Sequence, residues 1–374
     1  MSHFPLIDIS GAPFERGVQY GKQAASRINI SLAIYREAFA RSGYNWPAVR
    51  EVAAQFMPRI EAYAPRMLEE IVGIAKGCDV PTEDIIALNA RTEMMHGNSR
   101  PEDVLEETDE GCTGAIVLPE ITARGTLLHG QNWDWQAACE NSAIVLRIRR
   151  DDGPDILTMV EAGMLARCGF NSAGLAITGN FLKCQHDFGR AGIPVPLVRR
   201  AVLEEPNYTE AIRKVLLAPR SFSTNIMMSH VEGEGVDLEA TPPEVFWVRP
   251  QNGLLVHANH FVSVGAQAKM TDLGLHVTPD SLHREDRVRN MLSAKRGAID
   301  VADLKQAFAD RRGAPHAVCR SPVEGPGGGT SSTVATIIMD VTERSAIIAP
   351  APYRGAVFWK YDLSCNQPTP EQAQ

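Results

Sequence analysis

Gly111-Cys112-Thr113-Gly114-Ala115-Ile116-Val117-Leu118 is the stretch of this 374-residue chain on which the interpretation of its fold depends. It joins a polar segment, residues 97–110 with six acidic side chains, to a short apolar run rich in β-branched residues. Such a run predicts a strand, and the apolar residues 127–135 after a Gly-containing turn predict its hairpin partner. A cysteine preceded by glycine therefore stands where an expected exposed loop enters a sheet.

Cys112 at this junction is a candidate nucleophile that first cuts its own chain. Its thiol would attack the carbonyl carbon of Gly111, and water would then release a new N-terminus at Cys112. Glycine at position 111 lowers the steric barrier to the strained backbone that this attack requires. The freed α-amino group, with a reference pKa of about 8, could serve as general base for the thiol without a histidine. The alternative is a buried structural cysteine at the start of a strand.

The residues before the hairpin predict mainly helices. Apolar side chains recur at helical spacing over residues 51–76, where Pro58 and Pro65 are expected to interrupt the helix. Thr82 follows a proline and precedes two acidic residues, which predicts the start of another helix that ends near Met95.

The residues after the hairpin predict strands on both sides of a helical block. Helices are expected over residues 195–204, 209–217, 283–295 and 301–309. Further strands are expected over residues 144–148, 156–160, 175–178, 225–230, 245–248, 254–259, 333–340, 345–349 and 356–361. This alternation predicts an α+β fold of sheets sandwiched by helices.

The composition excludes several classes of protein. With 44% hydrophobic residues the chain can bury a large core, and a net charge of -8 without a long basic run predicts no nucleic-acid partner. No apolar stretch reaches the ~18 residues of a membrane span, and the N-terminus lacks a secretory signal, so a cytoplasmic protein is expected. The seven cysteines are widely spaced without a C-x-x-C pair, which argues against a disulfide framework or a cysteine-rich zinc module.

Polar residues end the second hairpin strand, in the sequence Gly130-Gln131-Asn132-Trp133-Asp134-Trp135. Asp134 could orient the α-ammonium group of Cys112 or an arginine. A strand that simply enters a polar turn is an equally good interpretation of this cluster.

The sequence His257-Ala258-Asn259-His260 forms another polar cluster. Asn259 could donate its side-chain N–H₂ to the oxyanion of an acyl-transfer reaction. A metal site built from His257, Asn259 and His129 is not favoured, because no acidic partner lies at i+3 or i+4. A hydrogen-bonded core histidine is the better interpretation.

Arg320 precedes a glycine-rich stretch, residues 325–330. This stretch lacks the G-K-[ST] ending of a phosphate-binding loop, so a flexible active-site loop and an ordinary surface loop both remain open. The chain contains no G-x-S-x-G, H-E-x-x-H or S-x-x-K set, so serine hydrolases and zinc peptidases of those types have no motif support.

Taken together, these fragments resemble the acyl-coenzyme A:6-aminopenicillanate acyltransferase family of the Ntn-hydrolase superfamily. Each fragment is short, but their order along nearly the whole chain is specific. The fragments are Gly11-Ala12-Pro13-Phe14-Glu15-Arg16-Gly17 with Gly21, Glu70-Ile71-Val72-Gly73-Ile74-Ala75-Lys76-Gly77, Leu88-Asn89-Ala90-Arg91-Thr92-Glu93, Glu110-Gly111-Cys112-Thr113, residues 130–134, Glu161-Ala162-Gly163, Gly169-Phe170-Asn171-Ser172-Ala173-Gly174, Gly192-Ile193-Pro194, Asn259-His260 and Cys319-Arg320.

The resemblance implies roles for individual residues. Cys112 is the expected nucleophile and Asn259 the oxyanion donor, while Asp134 and Arg320 support the site. Pocket candidates are Thr224, where the family has a small hydroxyl residue, together with Trp133 and Trp135. The implied fold is a four-layer αββα sandwich with an N-terminal helical segment. Residues 1–111 would become the α chain and residues 112–374 the β chain of one folded unit, without a cofactor or metal.

The leading functional hypothesis is a self-processing cysteine enzyme that acts on the acyl group of an amide. N-acyl amines, acyl-amino acids, small peptides and β-lactam side chains are the substrate classes considered, with water favoured as acceptor. The loop before Cys112 and the turn at residues 119–125 look longer than in the family, and both are expected at the site mouth. The acyl-CoA-dependent, penicillin-forming reaction is therefore kept as an alternative. A second alternative is an unprocessed, non-catalytic small-molecule-binding protein, and oligomerisation beyond the α/β heterodimer stays open.

Overall fold

Two β-sheets form the centre of the protein. The computed structural model describes residues 3–96, 111–187, 192–325 and 329–371. The strands in chain order are β1 (Leu6–Ser10), β2 (Cys112–Val117), β3 (Leu128–Gln136), β4 (Ala143–Arg149), β5 (Ile156–Glu161), β6 (Cys168–Asn171), β7 (Leu175–Thr178), β8 (Thr224–His230), β9 (Glu234–Ala240), β10 (Val245–Val248), β11 (Leu254–His257), β12 (Val323–Glu324), β13 (Thr330–Asp340), β14 (Ser345–Pro350), β15 (Trp359–Asp362) and β16 (Thr369–Pro370).

The two sheets divide the chain between them. The first sheet has the order β1-β4-β5-β6-β7-β8-β9-β10, and the second has the order β11-β2-β3-β13-β14-β15-β16 with β12 paired to β13. Neighbouring strands pair antiparallel, except that β1 runs parallel to β4. The strand before the first helix is therefore built into a sheet made otherwise of residues that follow Cys112.

Helices cover the outer faces of both sheets. They are α1 (Pro13–Arg41), α2 (Trp46–Ala54), α3 (Met57–Tyr63), α4 (Pro65–Cys78), α5 (Thr82–Asn89), α6 (Arg91–His96), α7 (Val195–Leu203), α8 (Tyr208–Leu217), α9 (Val264–Lys269), α10 (Leu273–Val277), α11 (Asp280–Ser293) and α12 (Val301–Phe308). Helices α7 and α8 pack on the first sheet, whereas α11 and α12 pack on the second. No helix within the described ranges is both long and apolar enough to cross a membrane.

The hydrophobic core shows how the layers are joined. Along β2, Ile116 belongs to the large core between the two sheets, whereas its neighbours Ala115 and Val117 pack with Val288 of α11 and Leu304 of α12. This alternation is the two-residue period of a strand buried on both faces. Helices, sheet, sheet and helices thus follow one another, which confirms the predicted α+β class and the four-layer αββα sandwich.

Close contact between α1 and α4 gives the glycines of the N-terminal segment a structural role. A Cβ atom added to Gly17 would lie 2.1 Å from the carbonyl oxygen of Glu70, and one added to Gly73 would lie 2.3 Å from that of Phe14. The side chain of Glu70 accepts hydrogen bonds from Arg16 and from Arg200 of α7. The glycine pattern therefore brings a buried carboxylate against the residues that follow Cys112.

The boundaries of the predicted elements are mostly confirmed. Pro58 and Pro65 separate α2, α3 and α4 as expected, whereas the helix from Thr82 ends at Asn89, earlier than predicted. The prediction missed the strands β1, β6, β9, β12 and β16 and the short helices α9 and α10. In β9 the alternate positions Asp237 and Glu239 are fully buried, and such acids in sequence mimic a solvent-facing strand or loop. The acidic segment at 97–110 and residues 326–328 of the glycine-rich stretch lie outside the described residues.

Candidate active site

Cys112 is the first residue of β2, in the interior of the second sheet. It stands opposite Trp133 in the antiparallel β2–β3 pair. Its side chain points toward the first sheet, because Gly114 on the same face lies against Met227 of β8. Cys112 is buried, with 6% of its surface exposed, and it lines a cavity.

The thiol of Cys112 lies between a carbonyl oxygen and a guanidinium group. Sγ is 3.8 Å from the backbone oxygen of Asp134 and 3.7 Å from Nη2 of Arg167. Burial raises the pKa of the Cys112 thiol, and the charge of Arg167 acts in the opposite direction. Burial of the sulfur therefore disfavours the thiolate form of Cys112.

The backbone nitrogen of Cys112 donates a hydrogen bond to Oδ1 of Asn259 over 2.7 Å. Nη2 of Arg284 donates to the same oxygen over 2.9 Å. Two donors at Oδ1 fix the orientation of the amide, so Nδ2 points the other way and donates to the carbonyl of Phe181 at 3.0 Å. In this state Asn259 is an acceptor for Cys112, and its role as an oxyanion donor stays a prediction for the cleaved enzyme.

Arg284 is a site residue that the sequence did not reveal. It is fully buried, donates from Nη1 to the carbonyl oxygen of Cys112 at 2.6 Å and to Oγ1 of Thr113 at 3.0 Å, and pairs through Nε with Asp280 at 2.7 Å. The helix α11 that carries it contains several charged residues. Sequence alone does not show which of them faces the sheet, so no pattern distinguished Arg284 from its exposed neighbours.

Asp134 and Arg320 meet beside the peptide bond between Gly111 and Cys112. The Asp134 carboxylate accepts a hydrogen bond from Oγ1 of Thr333 at 2.6 Å and lies 3.4 Å from Nε of Arg320. Burial raises the pKa of Asp134 to about 6, although the cations Arg320 and Arg284 act against this rise. A Cβ atom at Gly111 would lie 2.6 Å from Nη2 of Arg320. Glycine is therefore the residue that fits between this guanidinium and Cys112.

The residues predicted to line a pocket lie together. A cavity of about 70 Å³ opens beside Cys112. Its lining includes all three predicted residues, Trp133, Trp135 and Thr224, and adds three arginines: Arg91, Arg167 and Arg199. The pair Arg199-Arg200 inside an otherwise apolar helical run was the sequence signal that could have identified Arg199, because charges on a buried helix face need a partner.

An arginine guanidinium lies over the ring of each of the two tryptophans. The guanidinium of Arg167 lies 4.3 Å from the Trp133 ring, and that of Arg91 lies 4.4 Å from the Trp135 ring. Nε1 of Trp135 donates to the hydroxyl of Tyr35 at 2.7 Å. The walls of the pocket are therefore rigid aromatic surfaces with positive charge against them.

His257 does not lie with His129, the other histidine considered for a metal site. Both ring nitrogens of His129 contact hydroxyl groups instead. Nε2 of His257 is 3.3 Å from Asp237 and 3.0 Å from Glu239, and its Nδ1 donates to the Ala258 carbonyl. Acidic partners for His257 therefore exist, but they come from β9 and not from positions i+3 or i+4. Spacing along the chain was not a sufficient reason to reject a metal site.

The Asp237, Glu239 and His257 side chains, all buried, lie close enough to hold a cation. Burial alone would lower the pKa of His257, but the two carboxylates raise it to about 9. With Nδ1 already donating to a carbonyl oxygen, a proton on Nε2 satisfies the carboxylates without a metal. The cluster is therefore explained as a buried ion pair next to Asn259, which follows His257 by two residues.

The turn after β2 does not lie at the site mouth, contrary to expectation. Cys112 begins β2, and the turn at residues 119–125 follows its other end, about 17 Å away at the ordinary rise of a strand. There Ala123 donates its backbone N–H to the carbonyl of Ile299. The length of this turn therefore has no bearing on the pocket.

Comparisons with known proteins show which family this chain belongs to. The sequence pattern of the family described as acyl-coenzyme A:6-aminopenicillanic acid acyl-transferase matches residues 122–351. The 40 kDa form of the acyl-coenzyme A:6-aminopenicillanic-acid-acyltransferase of Emericella nidulans is 34% identical over 349 residues, which cover 91% of each chain.

Solved structures of two hydrolases are also similar to this chain. A mutant of the conjugated bile acid hydrolase of Clostridium perfringens has a TM-score of 0.47 and 14% identity, covering 70% of this chain and 97% of its own. Penicillin V acylase of Agrobacterium tumefaciens has a TM-score of 0.42 and 14% identity, with coverages of 68% and 93%. The identity to the Emericella enzyme and the matched pattern decide the family, and they confirm the prediction of an enzyme of acyl-group chemistry. This chain belongs to the acyl-coenzyme A:6-aminopenicillanic acid acyl-transferase family.

Proposed function

We propose that this protein cleaves its own chain before Cys112 and then uses the Cys112 thiol to remove the acyl group of an amide. The observation that carries the proposal is the contact between the backbone nitrogen of Cys112 and Oδ1 of Asn259 at 2.7 Å. That nitrogen becomes the new amino terminus on cleavage. It is already held beside its own thiol, at the edge of a cavity.

Self-cleavage starts with attack of Sγ of Cys112 on the carbonyl carbon of Gly111. The peptide C–N bond breaks, a thioester to sulfur forms, and the proton lost by the thiol ends on the freed amine. Water then hydrolyses the thioester and leaves a carboxylate on Gly111. The Arg320 guanidinium, 2.6 Å from where a Cβ atom at residue 111 would lie, supports this step, because a fixed cation close by stabilises negative charge that develops on the carbonyl oxygen.

The freed amine is the general base in the mature enzyme. Asn259 would keep holding it through Oδ1, while the positive charge of Arg284 disfavours its protonated form and so increases the fraction that is free base near pH 7. The amine takes the thiol proton, and Arg167 at 3.7 Å from the sulfur stabilises the thiolate. For Asn259 to donate to an oxyanion, Nδ2 must leave the Phe181 carbonyl, which we expect when substrate binds.

The cavity must enlarge on maturation. At about 70 Å³ it is far smaller than the few hundred Å³ of a typical ligand site. Gly111 is bonded to Cys112 and stays next to the sulfur until that bond is cut. We therefore expect departure of the new C-terminus at Gly111 to open the acyl site, so that cleavage both frees the base and admits substrate.

The two pieces, residues 1–111 and 112–374, would remain together as an α/β heterodimer. Strand β1 pairs with β4 across the two segments. Two buried ion pairs also join them: Glu70 with Arg200 at 3.0 Å and Arg91 with Glu161 at 2.6 Å. Breaking such buried pairs leaves uncompensated charges, which costs about 3–5 kcal/mol for each one.

Hydrolysis of N-acyl amines, acyl-amino acids or small peptides is the reaction we favour. The 34% identity to an acyl-coenzyme A-dependent acyltransferase supports acyl transfer to an amine as the second candidate. The two reactions share the acyl-enzyme and differ only in the acceptor. We place the protein in the cytoplasm, since all seven cysteines carry free thiols, as expected of a reducing compartment.

Intact mass after expression tests the proposal. The wild-type protein should give two chains divided between Gly111 and Cys112, and Cys112→Ala should remain one chain without activity. Cys78→Ala is a matched control, because this buried cysteine lies on α4 and its thiol hydrogen-bonds to carbonyl oxygens of the same helix. A cleaved Cys112→Ala protein would refute the mechanism. An uncut but folded wild-type protein would support the non-catalytic binding alternative.

A further inference from the structure

We propose that Arg167 and Arg199 form an anion-binding subsite beside Cys112, and that the enzyme prefers substrates with a carboxylate close to the scissile amide. The substrate preference rests on the proposed function, whereas the existence of the subsite does not. It concerns the pocket wall formed by α7, Arg167 and Trp133.

The three arginines of the pocket differ in their partners. Arg91 pairs with the Glu161 carboxylate at 2.6 Å and is thereby neutralised. Among the described residues, Arg167 and Arg199 form no ion pair. Glu93, an acid buried nearby, accepts a hydrogen bond from the backbone nitrogen of Val195 at 2.8 Å instead.

Arg167 and Arg199 also have few hydrogen bonds. Arg167 donates to Oε1 of Gln131 at 3.2 Å and otherwise faces sulfur atoms and the Trp133 ring. Nη2 of Arg199 contacts Oγ1 of Thr224 at 3.4 Å, and its buried Nε has no hydrogen-bond partner in the described part of the chain. Most of their N–H donors therefore remain available to a ligand.

Neighbouring cations without an anion are costly in a buried site. Burial and the charge of Arg167 lower the pKa of Arg199 to about 10, so the Arg199 guanidinium still carries its charge at neutral pH. Gly179 makes room for this arrangement, since a Cβ atom there would lie 2.5 Å from Nη2 of Arg199. A bound carboxylate would supply the missing negative charge and accept the free donors in a bidentate way.

The position of the subsite limits the kind of substrate. Nη2 of Arg167 is 3.7 Å from the nucleophilic sulfur, so an anion bound to it lies a few bonds from the reacting carbonyl carbon. The α-carboxylate of an N-acyl-amino acid meets this requirement. The phosphates of an acyl-coenzyme A do not, because a long pantetheine arm separates them from the thioester.

Alkylation of Cys112 tests the subsite without knowledge of the natural substrate. Iodoacetate and iodoacetamide differ mainly in charge, and peptide mass spectrometry of the processed protein gives the rate constant of each at Cys112. We expect the iodoacetate-to-iodoacetamide ratio to exceed that of free cysteine by about 10- to 100-fold, as one charge-assisted hydrogen bond would produce. Arg199→Met should remove most of this excess and Arg199→Lys should retain part of it, whereas Arg213→Met, an exposed arginine on α8, should leave it unchanged.

A ratio at Cys112 equal to that of free cysteine would overturn the proposal, and so would an Arg199→Met ratio equal to that of the wild type. Matched pairs of N-acyl-amino acids and their carboxamides, over several acyl lengths, extend the test to turnover. Hydrolysis by Cys112 without preference for the acid refutes the subsite and leaves the proposed function intact. Iodoacetate selectivity without hydrolysis of any member refutes the proposed function and leaves the subsite intact.

Discussion

Asn259→Asp is the substitution that tests most directly whether the amine of Cys112 is the base. The change is nearly isosteric and puts a carboxylate oxygen where Oδ1 now lies, 2.7 Å from the nitrogen of Cys112. A negative charge at this distance favours the ammonium form and raises the pKa of the amine. The Arg284 guanidinium, 2.9 Å from the same oxygen, offsets part of the effect. A rise of about one to three units follows from the usual influence of one adjacent charge.

The expected consequence is a shift of the pH profile. With a reference amine pKa of about 8, about a tenth of the amine is free base at pH 7, and the substitution lowers that fraction by about 10- to 1000-fold. The value of kcat/KM at pH 7 should fall by the same factor and should recover as the pH is raised. This assay uses protein that has already been cleaved, checked by intact mass.

Two controls separate charge from structure. Asn252→Asp introduces the same charge at an exposed turn and should leave the profile unchanged. Asn259→Ala should lower turnover at every pH, by about 10²–10³ if the residue also donates to the oxyanion. An Asn259→Asp enzyme with the wild-type profile and wild-type turnover would show that the amine is not the base.

Gly111→Ala should slow self-cleavage by at least tenfold, because the new Cβ would lie 2.6 Å from Nη2 of Arg320 and displace that cation; equal cleavage rates by intact mass would contradict the steric argument. The free energy of unfolding should fall between about pH 6.5 and 9 because of His257. The pKa of His257 is raised to about 9 in the folded state. Its contribution to stability is therefore complete below its pKa in the unfolded state and is lost above its pKa in the folded state. Urea unfolding at these two pH values should show that the free energy of unfolding of the wild type falls by about 3 kcal/mol at the higher pH, and that it falls by less in His257→Gln.

The sequence predicted the parts of the site that motifs can mark. Cys112, Asp134 and Asn259 lie far apart in the chain, and the structure places them in contact around one backbone nitrogen and one sulfur. Their predicted catalytic roles were carried by the family resemblance. The α+β class followed from strand and helix periodicity, whereas the four-layer order was implied by the family resemblance.

The missed residues are buried charges. The arginines of the site lie on a helix, a loop and a second helix, in the order Arg284, Arg167 and Arg199. Only tertiary packing determines which of them has an acidic partner. Strand β9 was missed for the same reason, since Asp237 and Glu239 look like surface residues until His257 is seen between them. Sequence patterns show which side chains are apolar, but they do not show which charged side chains are buried.

The pairing of β1 with β4 has a consequence for the life of the molecule. Before the proposed cut, these strands are parts of one chain, and the intact protein can unfold and refold as a unimolecular process. After the cut, a denatured heterodimer must find its other half in solution, so recovery depends on concentration. After maturation the protein would not readily refold once its two pieces had separated. The lifetime of the working enzyme would then depend on how slowly those pieces separate, which is kinetic stability.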